Sequence, residues 1–178
     1  MITSTPPELI DLGDLLIRRW QPRDLVPRFD AITASFDHLH PWMVWLAEPP
    51  TLESQRAFTR SVVQSWPNAD GDYNYGIFAS AGTVLGAIGL HTHPDVLEIG
   101  YWCHVDHTGK GIVTRAVVAL AAIARTLVDR VEIHCDEANL ASSAVARRAG
   151  FSLDRIEDRT SGAPADSGRG CVWTSRST

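Results

Sequence analysis

Glu98-Ile99-Gly100-Tyr101-Trp102-Cys103-His104-Val105-Asp106-His107-Thr108-Gly109-Lys110-Gly111-Ile112-Val113-Thr114 is the stretch that decides how the rest of the chain is read. It passes from β-favouring apolar residues through Gly-Lys-Gly into a long apolar segment, Arg115 to Val128, which no proline interrupts. That succession reads as strand, tight turn and helix. A turn of this kind aims consecutive backbone N–H groups and the positive end of the helix dipole at one point, an anion site of phosphate size. Gly109 and Gly111 carry no Cβ, so a ligand can come close to the main chain. Two other glycine-rich phosphate loops fail on counting. A Walker loop needs glycine where His104 stands and Ser or Thr where Gly111 stands, and a dinucleotide fingerprint needs a third glycine where Thr114 stands.

A second stretch lies downstream: Arg130-Val131-Glu132-Ile133-His134-Cys135, then Asp136-Glu137-Ala138-Asn139-Leu140-Ala141-Ser142-Ser143-Ala144-Val145-Ala146-Arg147-Arg148-Ala149-Gly150-Phe151. In this order the two stretches resemble the GNAT superfamily of N-acetyltransferases, and within it the branch of RimJ/RimL-type ribosomal-protein acetyltransferases. That branch carries Glu-Ile-Gly-Tyr-Trp leading into Gly-Lys-Gly-Ile and a helix, then an Asn-x-x-Ser segment that ends in Gly-Phe. The resemblance covers the C-terminal half well and the N-terminal half loosely. It implies an α+β fold: a mixed, mostly antiparallel sheet with a splayed central strand pair and helices on both faces. It also implies acetyl-CoA as co-substrate and a primary amine as acceptor.

Composition sets outer bounds. With 178 residues, 44% of them hydrophobic, the chain suits one domain with a sizeable core. The three cysteines, Cys103, Cys135 and Cys171, form no Cys-x-x-Cys pair, and no apolar N-terminal run reads as a signal peptide. A reducing cytoplasm is therefore the expected location, without a membrane partner. A formal charge of −5 argues against a general nucleic-acid binder and is compatible with drawing in a cationic amine. Seven histidines include His91-x-His93 and His104-x-x-His107, but no cysteine or carboxylate spacing completes a metal site, so none is expected. A homodimer is compatible with all of this.

Along the chain, residues 1–13 read as a polar, proline-containing lead and 14–20 as a first strand. Pro22 opens a helix over 23–34, an aromatic stretch follows, and Thr51 sits where an N-cap belongs for a helix over 52–66. Strands follow over 73–79, 83–91 and 96–105, the first two joined by Ser80-Ala81-Gly82 as a hairpin. After the long helix come a strand over 130–135, a helix over 140–149, and strands over 152–158 and 170–174. The 160–168 segment, rich in Ser, Gly, Ala, Pro and Asp, reads as a mobile loop.

The resemblance assigns roles residue by residue. The pyrophosphate of acetyl-CoA falls to Gly109, Lys110, Gly111, Ile112, Val113 and Thr114, mainly through backbone N–H groups. Thr108 and Val113 depart from the usual Arg/Gln-x-x-Gly-x-Gly/Ala pattern, which predicts weakened binding. The main chain of Trp102, Cys103, His104 and Val105 pairs with the pantetheine arm as if it were a strand. Asn139 meets the CoA arm. The family's proton-donating tyrosine would stand at Ala146, so Ser142 is the expected hydroxyl for the departing thiolate, with Ser143 as its neighbour. Cys135 would lie near the CoA sulfur, as a small apolar neighbour and not a nucleophile.

The attacking amine must be neutral. An α-amino group costs about 1 kcal/mol to deprotonate at neutral pH and a lysine side chain about 4 to 5 kcal/mol, so an N-terminal amine needs only a weak base. Glu98 is the first candidate base, sharing a strand face with Gly100, Trp102 and His104. His134 and His91 are alternatives with suitable intrinsic chemistry. Trp42 and Trp45, with His38 and His40, fall where the acceptor pocket belongs, and His134 joins them as an acceptor contact. The expected reaction is acetyl transfer to a protein N-terminal amine by direct attack in a ternary complex. A small-molecule amine such as an antibiotic or metabolite, and an acyl-CoA-binding module without turnover, are the alternatives.

Overall fold

Alternating apolar residues in the middle of the chain build a meander that the rest of the fold extends. In the computed structural model, which describes residues 4–68 and 70–176, the strands are β1 (Leu9–Asp11), β2 (Leu15–Arg19), β3 (Tyr73–Ala79), β4 (Val84–Thr92), β5 (Leu97–Cys103), β6 (Arg130–Asp136), β7 (Ser152–Asp158) and β8 (Arg169–Arg176). They form one eight-stranded sheet in the order β1-β2-β3-β4-β5-β6-β8-β7. Every neighbouring pair is antiparallel except β5 and β6, which run parallel. The helices are α1 (Leu25–Ala34), α2 (Phe36–Leu39), α3 (Leu52–Gln64), α4 (Ile112–Ala124) and α5 (Leu140–Arg148). This is the mixed α+β architecture expected from the sequence.

Helix α4 fits the sheet because its apolar residues recur on one face. Val113, Ala116, Val117, Leu120, Ala121 and Ala124 are all buried, a stripe at helical spacing. They pack with Leu90, Leu97, Ile99, Ile133 and, from α5, Ala146. On the opposite face Ala31 and Ile32 of α1, Leu39 of α2 and Val62 of α3 pack with Trp20, Phe78, Val84 and Trp102. Helix α3 begins at the expected cap: the Thr51 side chain accepts from the Ser54 amide at 3.1 Å.

Several boundaries differ from expectation. The lead over residues 1–13 contains strand β1, whose Leu9, Ile10 and Asp11 pair with Arg18, Ile17 and Leu16; residues 1–3 lie outside the described residues. Three residues are too few to display an alternation. Helix α4 starts at Ile112, earlier than Arg115, because Gly111 adopts a left-handed conformation (φ 72°) that turns the chain straight into the helix. It ends at Ala124, where the Leu127 and Val128 amides close turns on the Ala124 carbonyl. The 160–168 segment is the expected loop between β7 and β8, and in it the Asp166 carboxylate accepts from the amides of Gly162 and Ala163.

The pairing of β5 with β6 positions the site. It is confined to Leu97 with Val131 and Glu98 with Glu132. Beyond these, β5 stays paired with β4 as far as Cys103, while β6 stays paired with β8 as far as Asp136. Each strand follows its antiparallel neighbour and the two diverge, which is the splay expected of the central pair.

Candidate active site

The floor of the turn after β5 is made of main chain. Gly109 (φ 71°) and Gly111 (φ 72°) are both left-handed, and no atom lies within 4 Å of where a Cβ on either would stand. Nothing but the backbone geometry demands glycine there, and it leaves the turn open to a ligand. No side chain caps α4, so the amides of Ile112, Val113 and Thr114 face outward at the positive end of the dipole. The Lys110 ammonium donates to the Asp106 carbonyl at 2.9 Å, and the Thr108 hydroxyl donates to the Val105 carbonyl at 3.1 Å. Both side chains thus hold the turn itself.

This turn opens into a cleft of about 420 Å³. Trp102 and Cys103 form one wall, residues 107–114 the floor, and Asn139, Ser142 and Val145 of the α5 region the opposite wall. Burial pushes the Cys103 thiol up to about 11, against a smaller opposing pull from Lys110, so it is protonated at neutral pH and no nucleophile. Asn139 caps α5: its side-chain oxygen accepts from the Ser142 amide at 3.1 Å. Ala146, where the family tyrosine would stand, is fully buried in the core.

A phenol nonetheless reaches this point from the other side of the cleft. Tyr101 of β5 places its hydroxyl 2.8 Å from Ser142 Oγ and donates to the Ser142 carbonyl at 3.0 Å. Burial raises its pKa above the ordinary phenol value, which keeps the proton on. Sequence reasoning missed Tyr101 as a functional group. The available signal was strand alternation, which puts Tyr101 on the opposite face from Trp102 and therefore on the side of α5.

Two further cavities meet the cleft at Trp42, Met43 and Tyr101. A small one of about 150 Å³ lies in the splay and is lined by Gly100, His134, Cys135, Asn139 and Ser142. A larger one of about 640 Å³ lies on the other face of the sheet, under Trp42 and half-exposed Trp45. Its floor is Gly89 and Gly100, paired across β4 and β5, so the sheet has a trench there. A Cβ on Gly100 would stand 2.8 Å from His91 Nε2, so the glycine is what lets the imidazole lie over the strand.

The three candidate bases are placed differently. Glu98 bonds His93 at 3.1 Å and lies 3.5 Å from His134, and it lines none of the three cavities. His134 lines the small cavity but has Nε2 on Glu132 at 2.6 Å and Nδ1 toward Glu98, so both ring nitrogens are engaged. His91 holds Asp72 through Nδ1 at 2.8 Å and presents Nε2 to the trench beside Gly100. Among the sequence-predicted residues, those of the turn, Trp102, Cys103, Asn139 and Ser142 come together in one cleft. His104 caps its own turn, accepting from the Asp106 amide, and the Val105 amide donates to Ser35 Oγ.

A sheet opened between two parallel strands, with an uncapped helix start at its mouth, is the architecture of the acetyltransferase (GNAT) domain. Residues 14–152 match that family, and the chain belongs to it. It is an acetyltransferase of a family whose co-substrate is acetyl-CoA. Over 145 residues it is 30% identical to the "Putative ribosomal N-acetyltransferase YdaF" of Bacillus subtilis (strain 168), covering 77% of each chain. Among solved structures it is similar to the ribosomal L7/L12 α-N-protein acetyltransferase RimL in complex with coenzyme A (TM-score 0.84, 21% identity, covering 95% of this chain and 98% of that one). It is likewise similar to the microcin C7 self-immunity acetyltransferase MccE in complex with acetyl-CoA and AMP (TM-score 0.83, 20% identity, covering 92% and 93%).

Proposed function

We propose that the protein transfers the acetyl group of acetyl-CoA to a primary amine by direct attack in a ternary complex, with a protein N-terminal amine as the first acceptor class. One observation carries the reading: the uncapped start of α4 and the open edge of β5 share a cleft that ends at the Ser142–Tyr101 hydroxyl pair. These parts fit acetyl-CoA. The amides of residues 109–114 suit a pyrophosphate, and the edge of β5 that turns away from β6 as far as Cys103 suits the amides of a pantetheine arm, while the Val105 amide and carbonyl are already taken by Ser35 and Thr108. Bound there, acetyl-CoA supplies the acetyl group as a thioester.

The chain's own residues handle the protons. Tyr101 gives its one proton to the Ser142 carbonyl and accepts from Ser142 Oγ, which holds the serine hydroxyl at the end of the cleft; as the thiolate departs the serine proton turns to the sulfur and the Tyr101 proton swings to Ser142 Oγ. The excess proton of the amine goes to His91 Nε2, whose other nitrogen is steadied by Asp72. Glu98, the base expected first, reaches the small cavity in the splay only through His134 and serves to orient that ring. Trp42 and Trp45 wall the acceptor trench. The likeness to YdaF and RimL supports an N-terminal acceptor, as the low cost of deprotonating an α-amine does. A cytoplasmic location fits that acceptor, and among the described residues no helix is long and apolar enough to cross a membrane.

The test is thiol release from acetyl-CoA with three acceptor sets: peptides with free N-termini, lysine peptides blocked at the N-terminus, and small amines. Release with the first set alone is expected. Release only with small amines would replace the acceptor class. Tight acetyl-CoA binding with no release across the panel would turn the reading to a binding module, and no acetyl-CoA binding by calorimetry would overturn it altogether.

A further inference from the structure

Arg28, on α1, is a buried cation without a counter-ion among the described residues. Its side chain is 5% exposed and lines the 640 Å³ trench. Nη1 donates to Oε1 of Gln55, while Nε has no hydrogen-bond partner and no carboxylate among the described residues pairs with the guanidinium. The group lies 3.9 Å from the Phe58 ring centroid and 5.5 Å from that of Trp20. Burial lowers its pKa to about 9, which still leaves it protonated at neutral pH. Aromatic faces offset part of the cost of taking a guanidinium out of water, but such a group ordinarily finds an anion. A fork of donors aimed into a cavity suits a carboxylate or phosphate.

The rest of the trench carries the opposite sign. Asp70 and Asp72, the latter bound to His91, line it together with Asn68 and Asn74, and Gly100 and Tyr101 connect it to the hydroxyl pair. A cation thus lies at the α1 and α3 side and carboxylates at the β3 and β4 side of one cavity. A ligand that satisfies both bears an amine and an anionic group. We propose that Arg28 anchors a negatively charged group of the acceptor, so that the enzyme acetylates primary amines that also carry a carboxylate or a phosphate. This rests on the reading of the trench as the acceptor site. The anion belongs either to a small amino acid-like molecule or to an acidic side chain near a peptide N-terminus.

The experiment uses acceptors matched but for one anionic group: serine against serinamide, compared at equal concentrations of neutral amine because the carboxylate also raises the basicity of the amine, and the peptide amides Ser-Glu-Ala against Ser-Gln-Ala. Wild type, Arg28→Gln and Arg28→Lys are compared by thiol release, by calorimetric titration of the same acceptors with and without acetyl-CoA, and by acetyl-CoA affinity. Wild type is expected to prefer the charged member of one pair by about tenfold or more in kcat/KM, the scale of a charge-assisted contact. The preference disappears in Arg28→Gln through KM, returns in part in Arg28→Lys, and acetyl-CoA affinity stays unchanged. The pair that responds tells the small molecule from the peptide. Equal use of both members, or a preference that survives in Arg28→Gln, overturns the assignment while leaving acetyl transfer standing. If wild type turns over no acceptor, titration decides: binding of the charged members alone upholds the anion site, and binding of neither or both overturns it. Should Arg28→Gln fail to fold, the wild-type charge preference and the Arg28→Lys variant carry the same decision.

Discussion

Tyr101 and Ser142 come from different elements yet act as one hydrogen-bonded unit, 2.8 Å apart. Ser142→Ala is expected to lower kcat about a hundredfold with acetyl-CoA affinity retained, the lower end of general-acid effects. Tyr101→Phe removes the phenol that holds the serine hydroxyl and resupplies its proton, and lowers kcat by a similar factor. Because the two share a proton path, the double variant costs little more than either single one, which steady-state kinetics with calorimetric binding will check. At the acceptor side, His91→Gln should lower kcat/KM about a hundredfold with acetyl-CoA affinity unchanged, whereas Glu98→Gln should cost much less, as steady-state kinetics will check. Ser142 was legible from its spacing to Asn139 and Gly150. Tyr101 was legible only as a strand residue, because that its hydroxyl meets α5 depends on where the helix docks.

At the element scale, the turn into α4 and the end of β6 carry separate predictions. Replacing Gly111 with Ala meets no atom but forces a left-handed conformation, at a cost of about 1–2 kcal/mol. Expected are a lower melting temperature and about tenfold weaker acetyl-CoA binding, read by calorimetry, because the same strain shifts the amides of the turn. Asp136, at the end of β6, accepts from the Ala138 amide at 2.9 Å and from the Ser167 amide and hydroxyl at 3.0 and 2.8 Å. Burial by itself raises its pKa, but these bonds and Arg159 outweigh it and the net shift is downward. A carboxyl whose folded pKa is depressed stabilises the fold above its unfolded value, about 3.9, and loses that contribution as pH falls through the folded value. Asp136→Asn is therefore expected to melt lower at neutral pH and to show a shallower loss of stability into acid, measured by thermal melts across pH. The helix start was readable from Gly-Lys-Gly, and its exact first residue was not, since the left-handed cap is a property of the turn.

Across the whole molecule, the sheet separates two working faces. Leu120, fully buried between α4 and the sheet, should cost about 2–5 kcal/mol on replacement by Ala, read by denaturant unfolding. Gly100→Val, which would fill the trench beside His91, is expected to raise acceptor KM at least about tenfold while leaving acetyl-CoA affinity unchanged. The sequence by itself determined the order of strands and helices from β2 onward apart from the short α2, the α4 core stripe, the glycine turn and the Asn-x-x-Ser helix, and hence the family. These are local patterns, in which periodicity, caps and glycines specify conformation within a few residues. Only the tertiary structure decided which edge of β5 stays open, that Tyr101 meets Ser142, that Glu98 is tied to two histidines while His91 is presented to the trench, and that Arg28 is buried with no counter-ion among the described residues. Each of these joins residues from separate elements, and their distances follow from packing and strand register across the sheet.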